Sequence, residues 1–391
     1  MAAGDDSRDD AVVARAGIRR RSLFYDAVAL GLTAYARLAF RVRALNGEAL
    51  RLEPETLLIA NHPSEADVPV AVAALYRQVH TPGREKLLVH FALRDDLHTR
   101  GFFAGMPPGL PFWARRLLHP VGVGPVLRRM LPTPPIRSAT QLLVVDLLRA
   151  RPDAELEAIL VADDVADLRA RALGLGRTVP RTGRETLKGL YADLLWRPVH
   201  ADDPIPPLAE EVFAERRAAA RRDFERFVRI VRSGGVLLLS PEGRRSPDGG
   251  LQPLRRGAGL LVRRARPARV WPLGIAYDPL TRGRPWAYVG VGEPTEPPRR
   301  EPDRALHALL ARTVPLTVGQ VVADALDRGE RDGLERRLAA EVERALDERR
   351  PLDPALRDRA ERRARLGEAL AVADEQPERL PPLLAAYRSA R

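Results

Sequence analysis

The segment Leu57–Asp67, with the sequence LLIANHPSEAD, joins a short apolar run directly to a cluster of polar side chains. The run Leu57–Ala60 is continuous and apolar, as expected for a strand that is covered on both of its faces. Open α/β sheets place their sites at the carboxyl ends of such strands. The segment therefore predicts a buried strand with a functional site at its end.

Four further apolar runs have the same character and alternate with helical patterns. The predicted strands are Leu57–Ala60, Leu87–Leu93, Val236–Leu239, Val270–Tyr277 and Trp286–Val291. The clearest predicted helices are Val68–Gln78, Ser138–Ala150 and Ala209–Arg232. This alternation is typical of α/β proteins. It predicts a mixed, mostly parallel central sheet covered by helices on both faces.

The pattern also suggests how the chain is divided. We expect an N-terminal amphipathic helical segment at 1–50, an α/β domain at 51–300 and a C-terminal helical region at 301–391. Residues from about 150 to 207 hold charged helical pieces and the proline-rich stretch DDPIPPL, so we interpret them as an insertion. Neither the insertion nor the C-terminal region carries a chemical motif.

Composition limits the classes of function. The 391 residues include no cysteine, which excludes disulfides, a thiolate nucleophile and a cysteine-based zinc site. The net charge of +12 favours polyanionic partners, which include nucleic acid, anionic lipid head groups and phosphorylated substrates, and composition does not distinguish them. Aromatic residues make up only 5% of the chain, which weighs against a nucleic-acid reader that stacks bases. The nucleophile-elbow, P-loop and dinucleotide-binding motifs are absent.

The N-terminus lacks the apolar core of a secretory signal, so we expect a cytoplasmic protein. Leu23–Phe40 carries an apolar helical stripe, but Asp26 and Arg37 interrupt it, which argues against a membrane-spanning helix. The basic sequence IRRRS precedes it. This helix either lies on a membrane surface or packs on its own domain, and the stripe alone does not distinguish the two.

His62 and Asp67 have the residue types of a base and its orienting carboxylate. Five residues of ideal helix turn through about 500°, which leaves roughly 140° between the two side chains, so they do not meet within one helix. Pro63 suits the first position of a helix, and a histidine just before it can meet an aspartate one turn in. We predict that arrangement. Imidazole accepts a proton from an alcohol near neutral pH, and the carboxylate fixes its tautomer.

The spacing alone is weak evidence because the chain repeats it. His90 and Asp95 show the same His-x4-Asp spacing, but His90 lies within an apolar run and is interpreted as a core or strand-end histidine. A metal site built from His90, Asp95, Asp96 and His98 is a weaker alternative, and we expect no metal.

A second polar segment, SPEGRRS at 240–246, follows the predicted strand Val236–Leu239. Glu242 is unusual at a sheet's carboxyl end unless it is paired. Gly243 permits close backbone approach, and Arg245 can hold a phosphate through two hydrogen bonds. A solvated basic turn is the alternative interpretation.

Together these segments resemble the glycerophospholipid acyltransferase family, named for its lysophosphatidic-acid acyltransferase members. The family's N-H-x4-D block corresponds to Asn61, His62 and Asp67, G-x-x-F-x-x-R to Gly122–Arg128, F-P-E-G-T-R-S to Ser240–Ser246, F-K-x-G to Leu254–Gly257, and a proline-centred apolar block to Val270–Leu273. The blocks occur in the family order, and the resemblance covers roughly 55–292.

The resemblance implies transfer of a fatty acyl group from acyl-CoA or an acyl carrier protein to the hydroxyl of a lysophospholipid such as 1-acyl-glycerol-3-phosphate. His62 would be the general base and Asp67 its orienting partner, with no resident cofactor. The implied substrate-binding residues are Asn61, Ser64, Arg128, Glu242, Gly243, Arg245, Ser246 and Gly257. The expected partners are the acyl donor, the lysophospholipid acceptor and a membrane surface with anionic lipids, without a specific nucleic acid.

The resemblance also places the protein peripherally on the inner face of the cell membrane. Backbone amides at the helix start near His62 are expected to stabilise the tetrahedral oxyanion. Pro125, Ser240 and Arg244 depart from the family blocks around the acceptor pocket. They motivate one alternative, an acyltransferase for a non-phosphate acceptor such as a glycolipid. The arginine excess motivates another, a basic protein without catalysis that binds membranes or nucleic acid.

Overall fold

The computed structural model describes residues 13–64, 66–76, 83–94, 135–137, 139–174, 176–188, 192–195, 197–243, 246 and 248–390. The chain forms two compact units, of which the first combines Met1–Phe91 with Phe227–Arg391 and the second is Ala92–Arg226. The insertion expected at about 150–207 falls within the second unit, which begins earlier, at Ala92.

All five predicted apolar runs contain strands, and further strands occur outside them. In chain order the strands are β1 Arg41–Leu45, β2 Thr56–Ala60, β3 Val89–Phe91, β4 Leu93–Arg94, β5 Pro135–Ile136, β6 Gln141–Leu143, β7 Pro198–His200, β8 Val236–Leu239, β9 Arg269–Asp278 and β10 Trp286–Val291. Six of them form one sheet in the order β1-β10-β9-β2-β8-β3, parallel except between β9 and β10. The prediction of a mostly parallel α/β sheet is confirmed.

The helices in chain order are α1 Leu23–Ala39, α2 Asp67–Ala74, α3 Val144–Ala150, α4 Ala162–Gly174, α5 Gly183–Lys188, α6 Ala192–Leu195, α7 Pro207–Arg232, α8 Arg256–Ala265, α9 Pro302–Thr313, α10 Val318–Asp327, α11 Leu334–Asp347, α12 Arg359–Glu375 and α13 Leu380–Ser389. The helix predicted from Ser138 begins later, because Gln141–Leu143 pairs with β7 as strand β6. Helix α2 begins at Asp67, one residue before the predicted start at Val68, and ends at Ala74; the predicted end, Gln78, lies outside the described residues.

Both faces of the sheet are covered. Leu58 and Ala60 of β2 share a core with residues of α1 and α2. Gly274 of β9 points to the opposite face, where a Cβ atom would lie 2.1 Å from the carbonyl oxygen of Thr313 at the end of α9. Only glycine allows that close approach of helix and strand. The sheet is therefore sandwiched between helices, as the apolar runs predict.

The second unit has its own small core. It is built by α3, α4 and α7, whose apolar side chains include Leu147, Leu148, Leu168 and Phe213. Each of these helices thus buries apolar side chains in a common core, although it also carries charged side chains.

Helix α1 carries its apolar stripe on the exposed side. Ser22 caps the helix by accepting a hydrogen bond from the N–H of Tyr25 at 3.3 Å. Asp26 points inward, where its carboxylate pairs with the buried Lys86 ammonium at 2.6 Å. The exposed fraction is 76% for both Leu23 and Leu38 and 59% for Leu30. Helix α1 thus packs on its own domain through Tyr25, Ala29 and Ala36, in agreement with one of the two interpretations, whereas its apolar stripe is exposed. Contact of the stripe with a membrane stays a prediction.

None of the helices among the described residues combines the length and the apolar character needed to cross a membrane. Helix α1 is 17 residues long and has Asp26 on its inner side.

The helices α10 to α13 share a separate apolar core. It includes Val321, Leu338, Leu366, Leu383 and Tyr387. Thr317 and Gln320 form a reciprocal capping box at the start of α10, which satisfies two backbone N–H groups of the helix end. The C-terminal helices are thus packed as a unit, and α13 also contacts β9 of the sheet.

Candidate active site

The two polar segments follow neighbouring strands. β2 and β8 pair in parallel, with Thr56 opposite Val236 and Ile59 opposite Leu239. Because parallel strands end at the same edge, the segments after Ala60 and after Leu239 emerge side by side. The structure thus brings the two polar segments together at one edge of the sheet.

His62 and Asp67 are directly bonded. Nδ1 of His62 lies 2.8 Å from Oδ2 of Asp67. The same oxygen accepts a hydrogen bond from the N–H of Ser64 at 3.0 Å. Asp67 is the first residue of α2, so its side chain reaches back toward the turn that holds His62. The predicted pairing is confirmed, whereas the predicted helix start at Pro63 is wrong by four residues.

Asp67 has a third partner, Tyr277 of β9. The Tyr277 hydroxyl donates to Oδ1 of Asp67 at 2.7 Å. Burial raises the pKa of Asp67, and hydrogen bonds from His62, Ser64 and Tyr277 partly oppose that rise. Burial and the neighbouring carboxylate raise the pKa of Tyr277, so its hydroxyl remains a donor. Sequence reasoning missed Tyr277, because a contact across 210 positions leaves no local pattern.

Glu242 and Ser246 hold the backbone of His62. The N–H of His62 donates to Oε2 of Glu242 at 2.8 Å, and the N–H of Ser246 donates to the carbonyl oxygen of His62 at 2.8 Å. Oε1 of Glu242 accepts the N–H of Gln252 at 2.9 Å. Glu242 is 1% exposed, and burial raises its pKa. The loop after β8 therefore fixes the histidine through its main chain.

Asn61 has a similar anchoring position. Its side-chain amide donates to the carbonyl oxygen of Ile275 at 2.9 Å and its side-chain oxygen accepts the N–H of Ile275 at 2.6 Å. Asn61 is 4% exposed. These two bonds tie the end of β2 to β9. Contact of Asn61, Glu242 or Ser246 with a substrate stays a prediction.

Three backbone amides near His62 have acceptors within the protein. The N–H of His62 binds Glu242, that of Ser64 binds Asp67, and that of Ala66 binds the Ser64 hydroxyl at 3.2 Å. Pro63 has no N–H to offer. The amide of Glu65 lies outside the described residues, so stabilisation of an oxyanion by an amide at this helix start stays a prediction.

The other implied substrate-binding residues differ in their placement. Gly243 is exposed and has a φ of 69°, a conformation that favours glycine. Gly257 is exposed in the first turn of α8, where a Cβ atom would meet nothing within 4 Å. Ser64 is partly exposed beside His62. Arg128, Arg245 and the whole segment Gly122–Arg128 lie outside the described residues.

The two histidines with the same spacing occupy different environments. The His62 side chain is 29% exposed and reaches solvent. His90 is 0% exposed in β3, and burial lowers its pKa to about 4, which confirms it as a core histidine. Asp95, Asp96 and His98 lie outside the described residues. Among the residues that the structure describes, no group of three or more potential metal ligands occurs.

A cavity of about 300 Å³ adjoins this site within the first unit. Asn61, Pro63 and Ser64 line it on one side, and Ile275 and Tyr277 line it from β9.

The chain has no match among protein-family models, curated proteins or solved structures.

Proposed function

We propose that this protein transfers a fatty acyl group from a thioester donor to a hydroxyl acceptor, with His62 as general base. The observation that carries the proposal is the bond of 2.8 Å between Nδ1 of His62 and the buried Asp67. It leaves Nε2 of a partly exposed imidazole as the proton acceptor. A base held in one tautomer by a carboxylate is what an alcohol nucleophile requires.

In the proposed reaction His62 moves one proton in each of two steps. Nε2 of His62 takes the proton of the acceptor hydroxyl as its oxygen attacks the thioester carbonyl carbon. The tetrahedral intermediate collapses, the C–S bond breaks, and the departing thiolate receives the proton from the imidazolium. Asp67 stabilises that imidazolium, and Tyr277 holds Asp67 in place. A thiol of pKa about 8.5 is a good leaving group, so no covalent acyl-enzyme and no cysteine are needed.

The proposed acceptor is a lysophospholipid, and the proposed donor is acyl-CoA or an acyl carrier protein. Both rest on the resemblance of the two polar segments to the acyltransferase blocks. The acceptor's phosphate is assigned to Arg128 and Arg245 by that resemblance alone. Because Pro125 and Arg244 depart from the family blocks, a non-phosphate acceptor is the second candidate.

A peripheral position on the inner face of the cell membrane is part of the proposal. The support is the exposed apolar face of α1, which includes Leu23, Leu30 and Leu38. Arg19 and Arg21, both exposed, precede it. An apolar helix face beside cationic side chains is the composition that binds an anionic lipid surface.

Replacing His62 with alanine tests the proposal. Acyl transfer from acyl-CoA to lysophosphatidic acid should fall by about a hundredfold to ten-thousandfold in kcat/KM, the usual contribution of a general base. His200→Ala, at an exposed position in the second unit, is the matched control and should retain activity. Full activity in His62→Ala, or no transfer by the parent protein with any donor, contradicts the proposal. Turnover of a glycolipid but not of lysophosphatidic acid favours the second candidate.

A further inference from the structure

The cavity beside His62 is walled by the last helix of the chain. Of its sixteen lining residues, Pro382, Leu383, Ala386 and Ser389 belong to α13. None of the sixteen carries a charge, although 30% of the chain is charged. A pocket without charged groups suits a hydrocarbon chain and does not suit a phosphate or a nucleotide.

Helix α13 is fixed in that position. Leu383 and Tyr387 belong to the core of the C-terminal helices. The N–H of Leu251 donates to the Ser389 hydroxyl at 2.6 Å, and a Cβ atom on Gly249 would lie 3.0 Å from the carbonyl oxygen of Pro382. The loop that α13 touches includes Gln252, whose N–H binds Glu242. The loop that contacts α13 therefore also binds Glu242, the residue that holds the backbone of His62.

The cavity also lies next to the segment of His62 and next to the end of α1, the proposed base and the proposed membrane-binding helix. Its lining includes Ser64, two residues from His62, and Phe40, the residue that follows α1. An acyl chain that enters the cavity from the side of Asn61 and Ser64 would have its carbonyl end toward the imidazole. Its other surroundings are apolar side chains such as Leu251 and Ile275.

We propose that α13 limits the length of the acyl chain that is transferred, and that Ala386 is the residue that sets the greatest length of that chain. The inference rests on the proposed function, and it gives the C-terminal helical region a role in substrate selection. A larger side chain at position 386 fills space that the chain would occupy. Each methylene that no longer fits should then lower kcat/KM by about fourfold.

The test compares Ala386→Leu with Ala385→Leu, a neighbour on the same helix that does not line the cavity. The readout is kcat/KM for acyl-CoA donors of increasing chain length with one acceptor, and then for acceptors of increasing chain length with one donor. The expected result is a shift of Ala386→Leu alone toward shorter donors, with the acceptor profile unchanged. Ala386→Val, a smaller step, should shift the preference less. Melting temperatures show whether each variant is folded.

The inference is overturned if both variants keep the wild-type donor profile or if only the acceptor profile changes. If the wild-type protein transfers no acyl group, the proposed function fails, and fatty-acid binding by calorimetry tests the cavity separately. Binding that strengthens with chain length in the wild type and weakens in Ala386→Leu supports the inference. Absence of binding, or equal binding by the two proteins, overturns it.

Discussion

The backbone N–H of His62 donates a hydrogen bond of 2.8 Å to Oε2 of Glu242, although 180 positions separate the two residues. The carboxylate is buried and also accepts the N–H of Gln252. Its two oxygens thus join the segment after β2 to the loop that leads into α8. The resemblance implies that Glu242 binds the acceptor, whereas its contacts give it a positioning role. The two roles differ in the kinetic parameter that they affect.

Glu242→Gln should lower kcat while leaving the KM of the acceptor nearly unchanged. A glutamine offers one acceptor oxygen, so one buried N–H loses its partner at a cost of about 1–3 kcal/mol. A shift of the His62 backbone of roughly 1 Å costs about a hundredfold in rate. Steady-state kinetics and thermal unfolding measure both effects. Glu296→Gln, an exposed position with the same change of charge, is the control.

A large rise in the acceptor KM of Glu242→Gln, with kcat and melting temperature unchanged, would instead assign the carboxylate to acceptor binding. This split is informative because a merely structural residue changes stability but does not separate kcat from KM.

Tyr277→Phe should move the acid limb of the pH profile of kcat/KM to higher pH. The Tyr277 hydroxyl donates to Oδ1 of Asp67, which favours the carboxylate and lowers its pKa. Removing the hydroxyl therefore raises the pKa of Asp67, which burial already raises, so the carboxylate is protonated at a higher pH. A lost hydrogen bond to a charged group corresponds to a shift of about one pH unit.

Tyr288→Phe is the matched control for this experiment. The Tyr288 hydroxyl donates to the buried Asp353 at 3.0 Å, away from His62. Its loss should lower the melting temperature and leave the pH profile in place. An unchanged acid limb in Tyr277→Phe, or an equal shift in both variants, contradicts the positioning role of Tyr277.

The sequence predicts the elements of this protein better than the contacts between them. The runs Leu57–Ala60 and Val236–Leu239 predict strands because a continuous apolar stretch bounded by polar residues has few other solutions. β1 was missed, because its sequence RVRAL carries two arginines, and these lie over the ring of Trp286 at the sheet edge. Such an edge strand lacks the apolar run that marks a central strand.

The site was predictable only where its chemistry is local. The pairing of His62 with Asp67 follows from residue type and spacing after a strand. The contacts of Tyr277 with Asp67 and of Asn61 with Ile275 depend on β9 lying next to β2. The order of strands in a sheet depends on the whole fold, so it cannot be predicted from the sequence of β2 or of β9 alone.

The exposed face of α1 gives the last prediction. Leu30 and Leu38 are 59% and 76% exposed, so replacing them with aspartate removes no core contact, whereas burial of each leucine in a lipid surface contributes about 1.5–3 kcal/mol. Leu30→Asp and Leu38→Asp should each weaken binding to anionic vesicles by roughly tenfold or more and leave the melting temperature near that of the parent. Leu173→Asp, at a leucine of α4 that is 66% exposed, is the control. Vesicle cosedimentation measures the binding, and parental binding by both α1 variants would show that this face does not contact the membrane.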